Sequence, residues 1–80
     1  MTVNDLLYEV VTRGGDAQAI YAGDGNPEDR YAIVQDGRTW KVYYSERGEQ
    51  FELRQFATED EACEYLLSLL EKDQTVWGKT

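Results

Sequence analysis

Eighty residues hold one hydrophobic core and not two, and 41% apolar content with two Trp, six Tyr and two Phe is enough to build it. Sixteen acids against eight bases leave a net charge of −8, which argues against direct binding to nucleic acid or to anionic membranes and favours a basic protein partner. One cysteine and no histidine exclude an internal disulfide and leave neither a zinc set nor a histidine base for catalysis.

The opening "MTVNDLLYEVV" carries acids inside its apolar pattern, with no basic leader and no cleavage site, so it does not read as a signal peptide. No apolar run approaches the roughly 18 residues of a membrane span. A lone cysteine fits a reducing compartment, and a cytoplasmic location is expected. Val3, Leu6, Leu7, Val10 and Val11 recur at helical spacing. They predict a helix over residues 3–13, capped by Thr2 or Asn4 and ended by Gly14-Gly15.

Residues 16–22, "DAQAIYA", admit two readings: a short helix capped by Asp16, or an edge strand around Ile20. "GDGNPED" (23–29) reads as a loop from its Gly, Asn and Pro. Its acids do not keep the spacing of a calcium-binding EF-hand loop.

Two hairpins are expected over residues 30–56. Asp36-Gly37 is a strong turn signal and would place Ile33 opposite Trp40. An even loop at the second turn, either Arg47-Gly48 or four residues ending at Glu49, pairs Tyr44 with Phe51 and Val42 with Leu53. That register keeps one face apolar: Tyr31, Ile33, Trp40, Val42, Tyr44, Phe51 and Leu53. The other face then carries Ala32, Val34, Thr39, Lys41, Tyr43, Glu52 and Arg54. "TEDEACEYLLSLLEK" predicts a second helix over 58–72, with Thr58 and Glu61 as a capping box and Ala62, Leu66, Leu69 and Leu70 on its buried face. The tail, 73–80, reads as loose apart from Trp77.

The expected fold is a single α+β domain over residues 1–80. A three-stranded antiparallel meander, with room for a short fourth strand, carries both helices on one face in two layers. Trp40, Val42, Leu53, Leu66 and Leu70 should form its centre.

The residues offer no catalytic set, no metal site and no cofactor-binding motif, so the chain does not read as an enzyme. Glu59, Asp60 and Glu61 look dense, but acids in a first helical turn favour the helix dipole. Cys63 reads as a small buried hydrophobe. Two surfaces remain as candidate partner-binding sites. One is the open sheet face around Tyr43, Glu52 and Arg54, because interfaces favour Tyr and Arg. The other is the acidic helix face with Glu59, Asp60 and Glu64.

The stretch "WKVYYSERGEQFELRQFATEDEACEYLL" (40–67) combines a Trp-x-Val-Tyr-Tyr-x-Glu-Arg-Gly strand and turn with an Ala-Cys-x-Tyr-Leu-Leu helix. It resembles small immunity proteins of bacterial polymorphic-toxin systems. The resemblance implies direct inhibition: tight binding to a toxin domain, covering its active site or an adjacent surface, with no catalysis. The implied partner is a basic toxin domain, and the chain itself would be a monomer or a weak homodimer. A competing reading is an acidic regulatory or adaptor module that binds a host enzyme or transcription factor as a nucleic-acid mimic.

Overall fold

The computed structural model describes residues 1–22, 30–74, 76 and 77, and for Glu52 the backbone alone. The loop 23–29, with its calcium-like acids, lies outside the described residues.

Helix α1 spans Val3–Thr12. Thr2 caps it: its Oγ1 accepts from the Asp5 N–H at 3.2 Å, and the Asp5 carboxylate accepts from the Thr2 N–H at 2.9 Å. Leu6 and Val10, one turn apart, are fully buried. The helix closes through a Schellman arrangement. Gly15 N–H donates to the Val10 carbonyl at 2.8 Å and Gly14 N–H to that of Val11 at 3.1 Å. Gly14 takes the left-handed conformation this closure needs, with φ +85°.

Both readings of residues 16–22 occur in succession. Asp16 caps a single 3-10 turn, Ala17–Ala19, by accepting from the Gln18 N–H at 2.9 Å. Strand β1, Ile20–Ala22, follows at once. The remaining strands are β2 (Arg30–Asp36), β3 (Thr39–Glu46) and β4 (Glu49–Phe56), and the sheet order is β1-β2-β3-β4. The antiparallel meander is thus β2 to β4, and the short fourth strand joins β2 in parallel.

The first turn differs from the expected one. Asp36 pairs with Thr39, so the turn residues are Gly37 and Arg38, and Ile33 faces Val42 rather than Trp40. Gly37 alone has positive φ here, +62°, the sign pattern of a type II′ turn with glycine first. The register moves by two positions, so every side chain keeps its expected face.

The second turn is the two-residue Arg47-Gly48, both with positive φ, and it pairs Tyr44 with Phe51 as expected. Beyond that pair the register slips. Val42 lies opposite Arg54, and Trp40 opposite Phe56. Two positions of β3 therefore match three of β4, which places a bulge at Glu52-Leu53, opposite Tyr43. This corrects two assignments. Leu53 leaves the core face and is 45% exposed, whereas Arg54 comes onto the face it was expected to avoid. Strict alternation cannot anticipate one extra residue.

Helix α2 spans Glu59–Glu71, within the expected range. Thr58 caps it, accepting from the Glu61 N–H at 3.2 Å. Ala62, Cys63, Leu66 and Leu70 are fully buried and join Leu6, Val10, Ile20, Ile33 and Val42 in one cluster. Both helices thus contribute to a core on the Ile33–Val42 face of the sheet. Trp40 packs at its margin, half-buried.

The tail is not loose as far as Trp77. Val76 is 1% exposed and belongs to the core. Its carbonyl accepts from the Asp16 N–H at 2.9 Å, and Trp77 Nε1 donates to the Leu70 carbonyl at 2.6 Å. The Arg13 guanidinium sits 5.0 Å from the Trp77 ring centre and also reaches Glu71 at 3.1 Å.

Candidate partner-binding surface

The bulge in β4 decides what lies beside α2. Arg54 and Phe56 stand on the helix-bearing face, at the outer strand, where α2 does not cover them fully. Tyr65 of α2 reaches down to them. Its ring centre is 5.2 Å from that of Phe56, and the Arg54 guanidinium carbon is 5.5 Å from it. Leu53, Arg54, Gln55, Phe56 and Tyr65 line a shallow groove of about 530 Å³. Glu61 stands one turn before Tyr65 and is exposed, with its Oε1 accepting from the Thr58 hydroxyl at 3.1 Å. The groove therefore has an aromatic floor and one cation, with one acid, Glu61, a helical turn away. Phe51, further along β4, is 44% exposed and extends the apolar strip.

The candidate residues do not form one patch. Tyr43 stands on the opposite face of the sheet from Arg54, and it is 3% exposed rather than open to solvent. It lies directly across from Ala32 on β2 and two positions before Ser45, both fully buried. Small neighbours leave room for a large ring to lie against the sheet. Lys41, expected beside Tyr43, pairs with Asp36 at 2.8 Å. That contact holds the Asp36 carboxyl below its ordinary value, first through the hydrogen bond and then through the lysine charge. The side chain of Glu52 lies outside the described residues.

The acids of α2 divide by role. Glu59 Oε2 accepts from the Val3 N–H at 2.8 Å, and Asp60 accepts from the amine of Met1. Both therefore hold the start of α1 against the start of α2. Glu71 pairs with Arg13. Glu61 faces outward on the Tyr65 side, whereas Glu64, one turn after Asp60, is exposed on the side of the Met1 amine, so the structure brings none of the expected acids of α2 into the groove.

Burial pushes the Cys63 thiol up to about 11, with the charge of Glu59 adding to the shift. A thiol so placed stays protonated at neutral pH and acts as core filling. Among the described residues, no three His, Cys, Asp or Glu side chains gather in a metal-binding group. Among those same residues, no helix is long and apolar enough to cross a membrane. The aromatic groove was missed because Leu53, not Arg54, was expected to face α2. The signal available was "FELRQF", whose two Phe residues cannot share a face without an irregularity between them. Comparisons with protein-family models, curated proteins and solved structures gave no match.

Proposed function

We propose that this chain is a protein-binding inhibitor, an immunity protein that neutralises a basic bacterial toxin domain through the groove between α2 and β4. The observation that carries the reading is the exposed aromatic strip beside α2 on a strongly acidic molecule. Phe56, Tyr65 and the exposed Phe51 and Leu53 offer anchors of the kind that dominate interface energetics. Glu61 and Glu64, exposed on two sides of α2, offer charge for long-range encounter without lying in the groove. The net charge of −8 extends the same attraction over the whole molecule.

The test requires the candidate toxin, most directly the C-terminal domain of a large secreted protein encoded in a neighbouring reading frame. Co-production of this chain should restore growth of cells that make the toxin domain. Replacing Glu61 and Glu64 by Lys should lower the association rate about tenfold at low salt and leave dissociation nearly unchanged. Tyr65→Ala should instead speed dissociation, at a cost of about 2 kcal/mol. No binding to that domain, or an association rate indifferent to charge reversal at low salt, refutes the proposal.

A further inference from the structure

A second recess lies at the start of α2, bordered by Trp40, the cross-strand partner of Phe56. Val3, Ile33, Val34, Gln35, Trp40 and Glu59 border it, and its volume is about 350 Å³. Its walls are aliphatic and aromatic. Its only charged wall residue among those described is Glu59, which is half-buried. We infer that this recess receives one lysine or arginine side chain of a basic partner protein, with the aliphatic stem along Val3, Val34 and Trp40 and the cation at Glu59.

The geometry supports that occupant over others. Glu59 is held in place, because its Oε2 accepts from the Val3 N–H at 2.8 Å. The other carboxylate oxygen has no partner among the described residues. A fixed carboxylate in a partly desolvated site attracts a cation more strongly than a mobile surface acid does. A long basic side chain matches such a site, because its methylene stem favours apolar contact while its head keeps polar company. The Trp40 ring adds a face on which a cation can rest. An anionic ligand would be repelled by Glu59 and by the net charge of −8. A neutral apolar ligand would desolvate the carboxylate without compensating it.

This inference rests on the reading of the chain as a binder of a basic protein, yet its test needs no partner. The 80-residue protein is titrated with butylguanidinium, butylammonium and neutral 1-pentanol at millimolar concentration, followed by residue-resolved NMR. Both cations should give saturable shifts at the Trp40 indole N–H and at the methyls of Val3, Ile33 and Val34. Pentanol should bind more weakly than either cation. Glu59→Gln keeps an acceptor oxygen for the Val3 N–H and removes the charge, so its melting temperature should stay near wild type. Its affinity for the cations should fall about threefold or more. Equal binding by Glu59→Gln, pentanol binding as tightly as the cations, or shifts spread evenly over the α2 acids would each overturn the assignment. A positive result with these probes stands even if no toxin domain is bound, so the two proposals fail separately.

Discussion

The close approach of Trp77 to Gly15 gives a sharp test of how the tail is held. A Cβ placed on Gly15 would lie 2.7 Å and 2.9 Å from two carbons of the Trp77 ring and 2.8 Å from a Val10 methyl. These separations are far inside van der Waals contact, so Gly15→Ala must displace the indole. The ring cannot shift alone. It donates to the Leu70 carbonyl, stacks under Arg13 and follows Val76, whose carbonyl receives the Asp16 N–H. Overpacking of this kind costs about 1–3 kcal/mol. The opposing gain from a less flexible unfolded chain is about 0.4–1 kcal/mol, so the net effect is destabilising. Urea unfolding measures it, with Trp40 and Trp77 as fluorescent reporters. In a Trp77→Ala background the same Gly15→Ala change should cost at least about 1 kcal/mol less, because only the Val10 methyl still opposes it. A neutral Gly15→Ala in the wild-type protein, or an equal cost in both backgrounds, would refute the docked tail.

Other outcomes follow from the same packing. Leu66→Ala should lose about 2–5 kcal/mol in chemical denaturation, since the side chain is fully buried at the centre of the core. Thr58→Ala should lose about 1 kcal/mol by removing the cap of α2, with helix content falling first at that end. Ser45 Oγ is buried with no hydrogen-bond partner among the described residues, so Ser45→Ala should raise stability by up to about 1 kcal/mol, and a loss of that size would contradict an unpaired hydroxyl. The Asp36 carboxyl is held low by Lys41, so its stabilising pairing is complete at neutral pH and fades as pH falls through and below about 4. The stability gap between wild type and Lys41→Met should therefore close in acid, and a gap that stays constant from pH 7 to pH 2 would contradict that pairing.

The sequence made the helices legible because each is amphipathic and capped by a threonine whose partner follows three residues later. It made the strand faces legible as far as period two holds. Ile33 and Val42 point inward as alternation requires, and even the misplaced first turn left the faces intact because a shift of two positions preserves them. Period two fails at Leu53 and Arg54, where an inserted residue reverses the faces. It fails differently at Tyr43, where alternation gives the face but not the burial. The tail was obscure because "DQTVWGKT" has no period at all. Its docking depends on a gap at Gly15, sixty-two positions before Trp77, and no local pattern reports such a gap. The acids of α2 look alike in sequence, and only the structure shows that Glu59 and Asp60 hold the start of α1 while Glu61 accepts from the Thr58 hydroxyl of its own cap.

The bulge in β4 also bears on how this protein avoids itself. An outermost strand exposes a row of backbone donors and acceptors that can template further strands, and exposed Phe51 and Leu53 would reward such stacking. The extra residue at Glu52-Leu53 breaks that row midway. About three regular positions remain on either side, too few for a typical strand of five or six residues to align along. Mutual repulsion between molecules of charge −8 acts in the same direction. Apolar side chains can thus stay exposed on β4 while strand-on-strand growth from that edge is opposed at its first step.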